Sequence, residues 1–156
     1  MEHTDHHHGS DSPTRNAIRA TLHCLTGCAI GEILGMMLSA AFGLGNAVSI
    51  LVSVLLAFVF GYALTLRPVI AAGVAPRRAM RLTVASDTVS IATMELVDNA
   101  FILLVPGAIA AGLADGLFWW SLLVSLVVAF VLTVPVNRWL IARGRGHAVM
   151  HELHAK

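Results

Sequence analysis

Charged side chains are scarce in this sequence. Only 12% of its 156 residues are Asp, Glu, Lys or Arg, whereas 57% are hydrophobic, and the mean hydropathy is +0.79. A soluble domain carries about 25% charged residues, which it needs to cover its surface. The deficit excludes a water-soluble globular protein and indicates a membrane protein in contact with the lipid bilayer.

Motifs for common cofactors and catalytic sites are also absent from the sequence. It has no Walker loop, no dinucleotide-binding fingerprint, no H-E-x-x-H and no G-x-S-x-G. Its 10 basic residues are spread over the ends of apolar segments and form no single patch. We therefore expect no nucleotide cofactor and no nucleic-acid partner, and the sequence favours a function other than catalysis.

Four apolar segments are long enough to cross a membrane as helices, which takes about 20 residues each. Backbone groups inside lipid must be paired within the segment, so we expect each span to be an α-helix. The predicted fold class is an all-α membrane protein with a bundle of four transmembrane helices. The predicted spans are about 17–43, 46–72, 79–105 and 117–142, between a polar His-rich tail at 1–16 and a basic, His-rich tail at 143–156.

Lys and Arg predict the orientation of the bundle. All 10 lie near the start of the first span, around the connection between the second and third, or near and after the end of the fourth, which is one side of the membrane. Positive residues favour the cytoplasmic side. The first tail has no secretory signal pattern, so we expect the first span to be retained as an anchor. The sequence thus predicts a multi-pass protein with both termini in the cytoplasm.

The first and third spans carry polar residues at a common spacing. Glu32 and Glu95 are 63 positions apart, and each follows an alanine by three residues. The second and fourth spans also share a short similar pattern, ALTLRP (63–68) and VLTVP (131–135). Both copies would cross the membrane in the same direction, so the pattern indicates a parallel duplication of a two-helix unit. Chance similarity between apolar helices is the alternative.

The two glutamates are predicted to lie at one depth near the bilayer centre. A carboxylate there costs at least ~2.5 kcal/mol, and two neighbouring carboxylates repel unless they are protonated, paired or metal-bound. Every Lys and Arg is near a span end, so a proton or a bound cation must balance the charge. Where the polar faces of the first and third spans meet, a polar path is predicted along Asp87, Ser90, Asp98 and Asn99, with Asp98 and Asn99 outside the glutamate layer.

Two cysteines, Cys24 and Cys28, stand one helical turn apart on the face that also carries Glu32. Thiolate, thioether and imidazole ligands favour copper(I) or zinc(II). An intact helix aims the two thiols badly for a disulfide, and packing as small hydrophobic side chains is the alternative role. The sequence predicts a transition-metal site, copper or zinc, with ligands from His23, Cys24, Cys28, Glu32, Met94 and Glu95.

Histidines in the C-terminal tail are candidates for an accessory metal site. His147, His151 and His154 would share one face of a helix. The same segment also suits a basic stretch lying on anionic lipid. The N-terminal histidines, at positions 3 and 6–8, suit either a metal-binding tail or an expression tag.

Glycines on the first span repeat every four residues, at Gly27, Gly31 and Gly35. A strip of small residues allows close approach of a neighbouring helix. We therefore predict a helix-packing role for these three residues.

Four strings of the sequence resemble a bacterial membrane-protein family described only as domain of unknown function 4396. They are HCLTGCAIGEILGM (23–36), FVFGYALTLRP (58–68), SDTVSIATMELVDN (86–99) and PVNRWLIARGRGHA (135–148). The resemblance covers about residues 17–148 and implies a small four-helix protein of the bacterial inner membrane. It brings no established activity, although related sequences accompany copper-handling and heavy-metal-handling proteins.

The function predicted from these observations is binding or translocation of a cation, with a transition metal favoured. Alternatives are an accessory or structural subunit of a larger membrane complex, a proton-coupled transporter, and a thiol-linked or quinone-linked redox protein. The C-x-x-x-C spacing differs from the C-x-x-C redox motif. A bundle of 16.5 kDa is small for a pore, so we expect a homo-oligomer or other membrane subunits as partners.

Overall fold

The computed structural model describes residues 12–143, and within that range it consists of helices and short connections without β-strands. The helices are α1 (Pro13–Phe42), α2 (Asn46–Ala71), α3 (Pro76–Leu104) and α4 (Gly116–Ala142), with a short 3₁₀ turn (Ala108–Ala110) before α4. The predicted all-α class with four long helices is confirmed.

Local sequence signals set where the helices begin and end. Pro13 and Pro76 each stand in the first turn of their helices, where a missing N–H leaves no bond unmade. Ser12 caps α1 by accepting a hydrogen bond from the Arg15 N–H at 3.3 Å. Gly43 ends α1 in a left-handed conformation with φ of 63°, which glycine adopts without the strain of a side chain.

The helices bury small and polar side chains and expose large apolar ones. On α2, the buried positions from Ser49 to Thr65 are Ser, Ala, Gly or Thr, while Leu51 and Leu55 are each 57% exposed. A soluble bundle shows the opposite pattern. Among the described residues, α1, α2 and α4 are each long and apolar enough to cross a membrane. The apolar exterior therefore contacts the lipid bilayer.

Helix α3 carries more charge than the other three, and its interior face accounts for much of it. Asp87, Glu95 and Asp98 are buried, at 2%, 4% and 1% exposure, whereas Val89 and Leu96 are exposed. The helix is 29 residues long, similar to its neighbours. Its polar face is therefore turned into the bundle and its apolar face outward.

Consecutive helices are antiparallel, which gathers the arginines of the described chain at one end of the bundle. This arginine end contains the start of α1, the α2–α3 turn and the end of α4, and the loop end contains the α1–α2 turn and residues 105–115. All arginines between residues 12 and 143 are exposed. They are Arg15, Arg19, Arg67, Arg77, Arg78, Arg81, Arg138 and Arg143.

The glycine strip of α1 is where this helix crosses α2. A Cβ atom at Gly27 would lie 2.7 Å from the Cα of Gly61. One turn on, a Cβ at Gly31 would collide with the backbone of Ala57, and one at Gly35 would meet Ser53. Only glycine permits this backbone approach, so the strip fixes the position of α2 against α1.

Hydrogen bonds and side-chain insertion fix the other contacts. The hydroxyl groups of Tyr62 and Thr88 are 2.8 Å apart between α2 and α3. Ile91 of α3 packs against Gly61 of α2, where a Cβ would lie 2.7 Å from its Cδ1. Buried hydrogen bonds inside a low-dielectric bundle also specify how the helices are paired.

Candidate intramembrane cation site

Two carboxyl groups from different helices meet inside the bundle. Glu32 of α1 and Asp98 of α3 lie side by side within hydrogen-bonding reach, and their side chains are 6% and 1% exposed. Neither Asp98 oxygen, nor the Oε2 atom of Glu32, accepts a hydrogen bond from another group in the described chain. Two ionised carboxylates cannot bond to each other, since both are acceptors only.

Glu95 lies between this pair and the thiol of Cys28. Its carboxyl group is close enough to Glu32 and Asp98 for charge repulsion, and it faces the thiol of Cys28. Asn99 donates a hydrogen bond from Nδ2 to the backbone oxygen of Glu95 at 2.8 Å and approaches its Oε2 at 3.5 Å. An amide donor and a thiol donor thus flank one carboxyl group.

The other thiol, that of Cys24, lies one turn nearer the arginine end. Cys24 faces the hydroxyl of Ser90 on α3. Both cysteines belong to a core cluster that also contains Met94, whose side chain is fully buried. Met94 therefore lies next to the thiols, as a soft ligand or a packing residue would.

A small void lies between Cys24 and the arginine end. Its volume is about 10 Å³, which is room for about one water molecule. Ser86 donates a hydrogen bond of 2.6 Å to Asp87 beside it. Asn137 of α4 also faces the void and donates to the hydroxyl of Thr21 at 2.8 Å. We call this the arginine-end void.

A larger cavity lies at the loop end, and we call it the loop-end cavity. Its volume is about 80 Å³, enough for several water molecules. Glu32 and Asn99 line it, so it opens onto one member of the carboxyl pair. Its further polar lining residues, which the sequence analysis missed, are Asn46, Ser49, Ser53 and Ser121. The three serines could have been found from the sequence, because serines recur four residues apart on α2 and on α4.

The polar path is staggered differently from the sequence prediction. Glu32 was expected level with Glu95 and one turn below Asp98, whereas its closest partner is Asp98. The same offset recurs one turn lower, where Cys28 faces Glu95. The expected layers were therefore wrong by about one turn. The contact of Ile91 with Gly61 of α2 helps to fix the axial position of α3 relative to its neighbours. Counting residues along the spans cannot predict that position.

The predicted metal ligands share one region, yet they do not form a ready ligand set. Within residues 12–143 no three side chains of His, Cys, Asp or Glu converge closely enough to hold a metal ion. His23 is half-buried on α1 next to Cys24 in the chain. The accessory histidines His147, His151 and His154, like those at positions 3 and 6–8, lie outside the described residues.

The interior acids have a clear electrostatic consequence. No arginine of the described chain is buried, while Glu32, Glu95 and Asp98 are buried close together. Removing unpaired charges from water is expensive, so this layer stays neutral only by holding protons or a cation. The layer lies between the loop-end cavity, which Glu32 lines, and the arginine-end void, which Cys24 and Asp87 line.

Comparison with known proteins places the chain in a family. The profile of a family described as Domain of unknown function (DUF4396) matches residues 15–146. The chain belongs to this family. The matched segment contains α1 apart from its first two residues, all of α2 to α4, and every residue of the polar path. No curated protein and no solved structure matches the chain.

Proposed function

We propose that this DUF4396 member is a small protein of the bacterial inner membrane that binds a cation and passes it along the polar path. The cation would bind in the layer formed by Glu32, Glu95 and Asp98, which we call the carboxyl layer. One observation carries the proposal. Glu32, Glu95 and Asp98 are buried together, and the arginines of the described chain are all exposed. Intramembrane acids are rare and typically mark ion or proton pathways.

A proton is the first candidate for the cation. A proton shared by Glu32 and Asp98 gives each carboxyl group a hydrogen-bond partner, which the described chain does not otherwise supply to Asp98. From this pair, Glu95 and Cys28 lead towards Cys24 and the arginine-end void. Water in the loop-end cavity would connect the pair to the opposite side.

Proton transfer is tested with the full-length protein in liposomes that enclose a pH-sensitive dye. An imposed membrane potential should drive acidification, and Glu32→Gln and Asp98→Asn should each abolish it. Asp115→Asn is the matched control, because Asp115 is an exposed loop carboxylate whose role as acceptor for the Gly112 N–H an asparagine can keep. Acidification at the rate of protein-free liposomes would contradict the proton candidate.

A soft metal ion, copper(I) or zinc(II), is the second candidate. The specific observation in its favour is that Cys28 faces Glu95, with Cys24 and Met94 in the same cluster. Together these side chains offer sulfur and oxygen ligands, which is a set that suits these ions. The ligands would be Cys24, Cys28 and Glu95, with Met94 as a thioether ligand.

Metal binding is measured by elemental mass spectrometry on the full-length protein after loading with copper or zinc. Because tail histidines can bind metal as well, the comparison uses a chain in which the histidines at positions 3, 6–8, 147, 151 and 154 are replaced by glutamine. Loss of about one metal ion per chain on Cys28→Ser would support this candidate. Equal metal content with and without Cys28 would rule out the buried site.

The proposal includes orientation and assembly. The arginine end would face the cytoplasm, together with both termini, following the rule for positive residues. A homo-oligomer is proposed because one bundle of 16.5 kDa is small for a pore. Light scattering of the purified protein tests this, and a monomer that becomes stable only with another subunit would favour an accessory role.

A further inference from the structure

The loop-end cavity has the features of a binding site. It lies between the helices at the loop end, and Ala108 and Ile109 of the connecting loop form part of its wall. Its volume of about 80 Å³ is room for one small ion with a few water molecules. It is therefore larger than the gaps that ordinary packing leaves.

Two buried polar atoms at this cavity have no partner in the described chain. They are Oε2 of Glu32 and Oγ of Ser121, on side chains that are 6% and 2% exposed. Both residues line the cavity. Buried polar atoms in native proteins are nearly always hydrogen-bonded or bound to an ion or water. The cavity contents are expected to satisfy these two atoms.

The polar lining defines which ion fits. Apart from the thioether of Met36, the heteroatoms around the cavity are the carboxyl, amide and hydroxyl groups of Glu32, Asn46, Asn99 and serines. Oxygen ligands of this kind suit hard cations, whereas thiols and imidazole suit soft ones. No cysteine or histidine of the part of the chain that the structure describes lines the cavity, which distinguishes it from the region around Cys24 and Cys28.

The charge of the lining sets the charge of the ion. Among residues 12–143, Glu32 is the single acidic residue that lines the cavity, and Asp98 lies within hydrogen-bonding reach of Glu32. One carboxylate balances one positive charge, and a divalent ion would leave an excess charge in an apolar surrounding that includes Ile50 and Phe118. The number of acids therefore favours a monovalent cation.

We infer that the loop-end cavity binds one hydrated alkali cation, sodium or potassium, with Glu32 as its counter-charge and Ser121 as a neutral ligand. This deepens the proposed function, on which it rests only for the idea that the carboxyl layer holds a cation. It assigns an alkali cation, distinct from the proton and the soft metal ion considered above, to the cavity beside that layer. Binding at equilibrium is expected whether or not the ion then moves through the bundle.

The test is calorimetric titration and thermal unfolding of the full-length protein in detergent. Sodium, potassium and magnesium chlorides are compared with choline chloride at equal ionic strength. Either sodium or potassium should bind saturably at one site per chain and raise the unfolding temperature. Ser121→Ala should weaken the affinity about tenfold, because it removes one ligand to a charged group. Glu32→Gln should abolish binding.

Thr133→Val is the matched control for Ser121→Ala. Thr133 is also on α4, fully buried, and has a hydroxyl without a partner, yet it does not line the cavity. Its variant should bind as the wild type does. Tighter binding of magnesium, an equal response to choline, or an unchanged affinity in Ser121→Ala would each overturn the inference.

These measurements distinguish a failure of alkali binding in the cavity from a failure of cation transfer through the bundle. No saturable alkali binding, in a protein that still conducts protons in a Glu32-dependent manner, would overturn the cavity assignment and leave the proposed function standing. Saturable binding that needs Glu32 and Ser121, in a protein without measurable flux of any cation, would support the cavity assignment and contradict transfer.

Discussion

Asp98 meets Glu32 across the bundle from α3 to α1, and both Asp98 oxygens are without a donor in the described chain. Most buried acids in folded proteins are paired with a base or accept several N–H bonds. Here the nearest charged neighbour is a third acid, Glu95. The pair therefore lowers the stability of the folded protein locally, which is a frequent property of functional sites.

Asp98→Asn is predicted to stabilise the protein and to abolish cation transfer. The amide always has an N–H to donate to Glu32, whereas the aspartate donates only while it holds a proton, and the change removes one titratable acid from the layer. The unfolding free energy should therefore rise by about 1 kcal/mol. Denaturant titration in detergent measures the stability, and the liposome assay measures transfer. Asp98→Ala is the comparison: it also removes the charge but leaves Glu32 without a donor. A less stable Asp98→Asn variant would show that the native aspartate is already satisfied.

Gly31→Ala is predicted to destabilise the contact between α1 and α2. The new Cβ would overlap the backbone of Ala57, and backbone atoms cannot rotate away as a side chain can. Overpacking of this kind costs about 1–3 kcal/mol, measured as a lower unfolding temperature in detergent. Gly116→Ala serves as control, because a Cβ there meets nothing within 4 Å. Equal stability of the two variants would mean that the helices do not approach this closely.

Much of the fold follows from the sequence because membrane helices obey two simple rules. A span must be long and apolar, and the residues that face other helices are small or polar. These rules predict α1 to α4 within a few residues. The glycines on α1 and the acids on α3 also lie on the faces that their polarity and size indicate.

The sequence could not predict the axial stagger between helices or the cavity. The height of α3 depends on Ile91 fitting against Gly61 and on the bond between Tyr62 and Thr88, which are contacts between distant parts of the chain. The loop-end cavity depends on how residues 105–115 cover the helix ends. The proposed duplication of a two-helix unit stays a prediction.

Asn137 and Thr21 are predicted to be energetically coupled. Asn137 donates to the hydroxyl of Thr21, which in turn donates to the backbone oxygen of Ala17. Interhelical hydrogen bonds in membrane proteins contribute about 0.6 kcal/mol on average. A double-mutant cycle with Asn137→Ala and Thr21→Val should give a coupling energy of that size. Additive effects of the two changes would indicate that α1 and α4 are held together by packing alone.

The thiols are predicted to be protected from alkylation in the folded protein. Cys28 and Cys24 are 1% and 5% exposed, so a water-soluble maleimide should reach them only after unfolding. Ala114→Cys, at an exposed loop position, should react completely while both native thiols remain intact. Mass spectrometry of peptides distinguishes the three sites. Rapid labelling of Cys24 from one side would instead show that water reaches the thiol layer.

Cysteine labelling is also predicted to reveal the orientation of the bundle. On a background with Cys24 and Cys28 replaced by serine, Ala114→Cys marks the loop end and Ala75→Cys the arginine end, and both positions are exposed. Because positive residues are retained in the cytoplasm, an impermeant maleimide added to spheroplasts should label Ala114→Cys only. Permeabilised cells should label both variants fully, which controls for their expression and reactivity. Labelling of Ala75→Cys in intact spheroplasts would reverse the orientation, and the loop-end cavity would then open toward the cytoplasm.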